Sequence, residues 1–146
     1  MTQFSSSYRG SKLAVYLRSG VFLLAMSCLT ILIAPLMMLA FPLPFEVRYG
    51  IAQVWVTWNL GLLKAICGLD YHVEGSENIP AGNAIVFSKH QSAWETIALQ
   101  KIFPEQVFII KRELLWMPFF GWALATLEPI AIDRKAGKAA LRQVVE

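Results

Sequence analysis

Residues 21–41, "VFLLAMSCLTILIAPLMMLAF", contain no charged side chain. A helix needs about 20 predominantly apolar residues to cross the hydrocarbon core of a bilayer, so this run is long enough to span one. It constrains the chain more than any other feature, because a helix that is apolar all round must bury every face in protein or in lipid. The chain has 146 residues, of which 56% are hydrophobic, above the roughly 45–50% typical of soluble domains. The surplus lies mainly in the first half. The run is longer than the apolar region of a secretory leader, and no small-residue cleavage site follows before Pro42, so a retained membrane segment is expected.

Pro42-Leu43-Pro44 ends that helix, since proline lacks an N–H and disfavours the helical conformation in the residue before it. A second segment follows over residues 47–69, "VRYGIAQVWVTWNLGLLKAICGL", rich in Trp and Leu but carrying Gln53, Asn59 and Lys64. That mixture suits an interfacial helix, or one folded back on the first. Arg9, Lys12 and Arg18 precede or open the apolar run, which by the positive-inside bias holds that end at a cytoplasmic membrane face. The net charge of +3 is modest and no basic stripe with interleaved aromatics is present, so no nucleic acid partner is expected. Cys28 and Cys67 lie in apolar segments without CxxC or Cys/His spacing, which argues against a disulfide framework and against a metal site.

From residue 70 the texture changes. Strands are expected over 71–73, 84–88, 107–110 and 129–132, with helices over 92–102 and 135–146 and a loop over 74–83. Between them, residues 114–127 form an aromatic, mixed stretch with Pro118 and Gly121. Such alternation predicts an α/β fold with a mostly parallel sheet. The stretch is short for closing an α/β core unaided, and the domain is expected to be incomplete within these residues. The chain thus divides into a basic cytoplasmic segment (1–20), a membrane-embedded two-helix hairpin (21–69) and a partial α/β domain (70–146).

"FSKHQSAWETIAL", residues 87–99, places His90 after an apolar run and Glu95 at a helix start. Two roles are open to Glu95. Ser92-x-x-Glu95 has the form of a capping box, in which the glutamate reaches back to the serine N–H. Alternatively, His90 and Glu95 form a catalytic pair at the carboxyl end of a strand, the usual ligand edge of an open α/β sheet. A helix N-terminus disfavours imidazolium and keeps the histidine able to accept a proton, while a carboxylate supports the charge as it forms. There is no Gly-x-Ser-x-Gly elbow beside them, so the histidine would activate a hydroxyl of the substrate itself.

His90-Gln91-Ser92-Ala93-Trp94-Glu95 resembles the His-x-x-x-x-Asp box of glycerolipid acyltransferases, in particular the bacterial 1-acylglycerol-3-phosphate acyltransferases. The approach "VEGSENIPAGNAIVFSKHQSAWET", with Gly75, Glu77, Asn78 and Pro80, is similar as well. So are "KRELLWMPFFGWAL" (111–124) and the block "IAIDR" (130–134). Several blocks in order are more specific than the histidine box alone. The resemblance implies His90 as general base, Glu95 as its partner, and Arg134 as the basic residue facing the substrate phosphate. Lys111 and Arg112 could line the same edge or belong to a solvated turn. Trp116, Phe119, Phe120 and Trp122 could border an acyl channel, dip into the interface or pack in the core.

There are three departures from the family pattern: Glu95 stands where Asp is usual, Glu128-Pro129 replaces the glycine that commonly opens the second block, and no Pro-Glu-Gly-Thr-Arg stretch occurs up to Glu146. By resemblance the acceptor is lysophosphatidic acid among the membrane lipids, and the donor is the thioester of acyl-CoA or acyl carrier protein. No bound cofactor or metal is implied. A cytoplasmic donor and a bilayer-held acceptor call for an enzyme in the cytoplasmic membrane with its site facing the cytoplasm. The alternatives are a truncated, non-catalytic membrane anchor and an acyltransferase acting on a different lysolipid.

Overall fold

Ser11 opens the first long helix: its hydroxyl accepts the Ala14 N–H at 3.3 Å, satisfying one of the donors that a helix start leaves unpaired. In the computed structural model, which describes residues 3–5, 11–89 and 91–133, this helix (α1, Lys12–Leu39) has 28 residues. At 1.5 Å per residue it is about 42 Å long, more than a hydrocarbon core of about 30 Å requires. Among the described residues it is the one helix long and apolar enough to cross a membrane, and only 11% of its most apolar window is buried. Ser27 on this helix satisfies its hydroxyl locally by donating to the Leu23 carbonyl at 2.8 Å. The helix continues through Pro35. It takes in Lys12 and Arg18, so these basic residues stand on α1 rather than ahead of it.

The break at Pro42-Leu43-Pro44 is observed as a pair of turns, with the Leu43 N–H on the Ala40 carbonyl at 2.9 Å and the Val47 N–H on the Pro44 carbonyl at 3.1 Å. The next helix, α2 (Phe45–Leu62), runs into a π-helical turn over Leu63–Cys67. Gly68, at φ +67, closes it by donating to the Lys64 carbonyl at 3.0 Å, the left-handed stop that glycine adopts without a Cβ penalty.

The chain forms two compact units, Met1–Ser27 with Val56–Pro104 and Cys28–Trp55 with Glu105–Glu146. In the first, β1 (Gln3–Ser5) pairs antiparallel with β2 (Asp70–His72), a pairing the sequence did not suggest. Lys64 and Asp70 form an ion pair of 2.6 Å, and hydrogen bonding from Lys64 holds the Asp70 carboxyl below its ordinary range. A 3-10 turn (Ser76–Asn78) follows, and then α3 (Ala93–Ile102). The expected strand over 84–88 is not formed: these residues carry no regular secondary structure, with Ile85 81% and Phe87 92% exposed. A buried parallel strand requires neighbours on its edges and cover on both faces, and the described residues supply neither here.

In the second unit, β3 (Ile109–Lys111) and β4 (Ile130–Ile132) pair in parallel, with Ile110 opposite Ala131 and Lys111 opposite Ile132. The expected parallel α/β arrangement is thus present as one two-stranded sheet among the described residues. A 3-10 turn (Arg112–Trp116) and α4 (Phe120–Ala125) connect the two strands. Phe119 enters α4 at φ +61, ψ −63, and the Phe120 N–H reaches back to the Pro118 carbonyl at 2.7 Å, a γ-turn of the strained class. Gly121 lets α4 approach this turn: a Cβ there would lie 2.6 Å from the Leu115 carbonyl oxygen. Ala34, Met37, Tyr49, Ala52 and Ile110 are buried. Trp55 donates from Nε1 to the Thr30 hydroxyl at 3.0 Å and sets its ring 6.2 Å from that of Phe120. The helix expected over 135–146 lies outside the described residues.

Candidate active site

Glu95 is on the first turn of α3 because Ser92 caps that helix. Ser92 is extended (φ −150, ψ 173) and its hydroxyl accepts the Trp94 N–H at 3.2 Å. Glu95 Oε2 accepts the Ser92 N–H at 2.8 Å and the Ser92 hydroxyl at 2.9 Å, and Oε1 accepts the Gln91 N–H at 3.2 Å. The capping box is therefore real. Desolvation pushes the Glu95 carboxyl up, but hydrogen bonds from its own N–H, from Ser92 and from Gln91 outweigh it and leave it below the ordinary carboxylate range. The group is an anion at neutral pH, fixed in direction by several donors.

The same corner is anchored through its aromatic residue. The Trp94 ring meets Tyr71 of β2 edge-on at 5.4 Å, a favoured aromatic geometry. Ala98 and Gln100 are buried, and Lys101 Nζ donates to the Thr57 hydroxyl of α2 at 3.2 Å. The backbone from Gln91 to Glu95 is thus held at the helix cap and at the Trp94 ring. His90 lies outside the described residues.

The basic candidates belong to the second unit. Lys111 ends β3 with its ammonium 3.7 Å from Glu113, both half-exposed, and Arg112 follows it, exposed, on the 3-10 turn. Because Lys111 pairs with Ile132, the ends of β3 and β4 share the carboxyl edge of the parallel pair, where open α/β sheets bind ligands. Arg134 follows β4 in the chain and lies outside the described residues. Of the four aromatic residues, Phe120 packs on Trp55, whereas Trp116 (79%), Trp122 (45%) and Phe119 (39%) are exposed. Among the described residues no group of three or more His, Cys, Asp or Glu is arranged to hold a metal ion.

Arg48 was not singled out by the sequence, and Glu128 only as the replacement of a glycine, yet the two form a charge contact in this unit with Arg48 buried. The Arg48 guanidinium, on the first turn of α2, donates to the Thr126 carbonyl and to Glu128 Oε1 at 2.6 Å. The available signal was a basic residue in a largely apolar segment, near Glu46, a pattern that points to a functional or positioning role.

A family model described as Acyltransferase matches residues 70–146. The chain is 48% identical over 105 residues to a 1-acyl-sn-glycerol-3-phosphate acyltransferase of Pseudomonas aeruginosa, an alignment covering 71% of this chain and 41% of that protein. It is 32% identical over 90 residues to the enzyme of the same name from Saccharomyces cerevisiae, covering 60% of this chain and 30% of that protein. With the human 1-acyl-sn-glycerol-3-phosphate acyltransferase alpha it shares 35% identity over 75 residues, 50% of this chain and 26% of that protein. The chain therefore spans less than half the length of these relatives. No solved structure matches it.

Proposed function

Because the chain belongs to the acyltransferase family, we propose that it transfers a fatty acyl group from a thioester to the free hydroxyl of 1-acylglycerol 3-phosphate, giving phosphatidic acid. The names of its relatives support this acceptor. The observation that carries the chemistry is Glu95, an ionised carboxylate held by Ser92 and Gln91 five positions after His90. Capping and catalysis are compatible in such a group. The donors that close the helix also fix the carboxylate as an anion able to support an imidazolium.

In this mechanism His90 takes the hydroxyl proton while the acceptor oxygen attacks the thioester carbonyl carbon. The tetrahedral centre collapses, the C–S bond breaks, and the thiolate leaves with the proton returned by the imidazolium. Either acyl-CoA or acyl carrier protein satisfies this chemistry as donor. Arg134 serves the acceptor phosphate, with Lys111 and Arg112 at the edge formed by β3 and β4, since a guanidinium fork matches phosphate oxygens.

We place the enzyme at the cytoplasmic membrane with its site facing the cytoplasm and with α1 and α2 paired and dipping into one leaflet. The uncovered apolar surface of α1 and the polar residues Gln53 and Asn59 on α2 support this arrangement. The test of the function is acyl transfer to 1-acylglycerol 3-phosphate by wild type and His90→Ala in membranes. Loss of a general base removes about two to four orders of magnitude of rate; near-normal turnover by the variant would end the mechanism.

A further inference from the structure

Arg48 is 6% exposed, although it stands at the start of a helix whose neighbouring residues are largely apolar. Its charge is enclosed on every side the structure describes. The ring centroids of Phe41 and Phe45 lie 5.9 and 5.6 Å from the guanidinium carbon, one Nη donates to the Thr126 carbonyl, and the other donates to Glu128 at 2.6 Å. Nε has no hydrogen-bond partner, so the side chain is spent on these two acceptors.

The acceptors lie in the turn that leads from α4 into β4. Thr126 is 4% exposed, and its hydroxyl bonds the Ala123 carbonyl at 2.7 Å. The Leu127 and Glu128 N–H groups close the helix end on Leu124 and Ala125 at 3.0 and 3.3 Å. The Thr126 carbonyl, left over at this helix end, is one of those that basic side chains commonly cap. Glu128 sits at φ +52, a conformation open to glycine and disfavoured for glutamate. Pro129 follows, and the Ile130 N–H then bonds the Phe108 carbonyl at 2.9 Å, starting the β4 register.

We propose that Arg48 is a positioning residue for acyl transfer: by gripping the Thr126 carbonyl and the Glu128 carboxylate it holds a left-handed turn without glycine and so sets the start of β4, the strand that precedes Arg134 in the chain. The arginine on the membrane-side helix does the work that a glycine would do for the backbone. It also ties the α2 end to the strand whose continuation carries the phosphate-facing arginine. The consequence for acyl transfer rests on the functional reading above; the consequence for the turn does not.

The test uses the full chain in lipid nanodiscs, with amide hydrogen exchange followed by peptide and acyl transfer measured on the same samples. Arg48→Met should raise exchange over residues 126–131 by about tenfold or more, the scale of losing charged hydrogen bonds, with α3 unchanged. Adding Glu128→Gly should return that exchange most of the way, because glycine adopts the turn unaided. Arg48→Lys, with one compact donor group in place of the fork, should fall between the two. In transfer, Arg48→Met should raise KM for the phosphate-bearing acceptor by about fivefold with little change in kcat or donor KM. Unchanged exchange in Arg48→Met, or faster exchange that Glu128→Gly does not restore, overturns the positioning role. A fall in kcat with acceptor KM unchanged overturns the link to the phosphate side. If exchange behaves as stated and the wild type transfers no acyl chain, the functional reading fails and the role of Arg48 in the turn stands.

Discussion

Arg48 Nη2 lies 2.6 Å from Glu128 Oε1, and this contact bears on the membrane arrangement proposed above. Arg48 is one helical turn from Pro44, a distance of about 6 Å along the axis. The Pro42-Leu43-Pro44 turn therefore stays close to the turn before β4. A hairpin crossing the bilayer twice would carry Pro42-Leu43-Pro44 to the far face, about 30 Å of hydrocarbon away, and would break the pair. The one-leaflet arrangement keeps it.

This arrangement predicts the labelling of a cysteine placed at Leu43, half-exposed at the turn, in a background without Cys28 and Cys67. In intact cells a membrane-impermeant thiol reagent should leave it unmodified. A cysteine at Gly82 should also be protected in intact cells and become reactive once the cells are opened. Modification at Leu43 from outside would sink the one-leaflet reading.

Glu95→Gln separates the two roles of the carboxylate. Glutamine can still accept the Ser92 N–H and close the cap, so the variant should stay folded at neutral pH and lose only the charge-dependent part of the cap's stability. It carries no charge to support an imidazolium, so turnover should drop by about tenfold or more. Equal turnover in variant and wild type would leave the cap as the whole role of Glu95. Glu95→Asp should keep part of the activity, since the charge remains but its reach is shorter by one methylene.

The same carboxylate has a pH signature. Its folded-state pKa is lowered by the Ser92 and Gln91 hydrogen bonds, which outweigh desolvation. The stability it contributes is therefore fully present above the unfolded carboxylate range and is lost as pH falls through the lower, folded value. Thermal melts of wild type and Glu95→Gln should converge in acid and separate towards neutral pH, with the wild type the more stable. A difference between the two that does not vary with pH would contradict this assignment.

Gly121→Ala tests the contact between α4 and the 3-10 turn before it. An added Cβ would lie 2.6 Å from the Leu115 carbonyl oxygen, and backbone cannot move aside cheaply. Overpacking of this kind destabilises by about 1–3 kcal/mol. A lowered melting temperature with normal membrane association is expected. Gly82→Ala, with nothing within 4 Å of the added atom, is the matched control and should be near neutral.

Local chemistry was legible in the chain. The Ser92–Glu95 spacing predicts a cap, and the cap is there because the donors it serves lie within one helical turn. Pro42-Leu43-Pro44 predicts a helix break, and two closely spaced prolines stop the helix there, whereas the single Pro35 is carried through α1. The strands at 109–111 and 130–132 fall within a residue or two of their expected places, since β-branched runs bounded by turn residues carry that signal locally. Strand 84–88 has the same local signal and did not form. A strand exists only through a neighbour, and neighbours are a property of the whole chain.

What the sequence by itself determined, then, is the break after the first apolar helix, the cap that opens α3, and the ordered blocks that mark the acyltransferase family. Only the tertiary structure decided that Arg48, on the first turn of α2, reaches residues 78 and 80 positions away at Thr126 and Glu128. It also decided that Glu128 can occupy a left-handed turn where the family commonly has glycine. Capping, helix breaking and apolarity act over a few residues and are written in adjacent letters. A buried charge, by contrast, must find its partners wherever the fold brings them, because leaving it unpaired costs several kcal/mol.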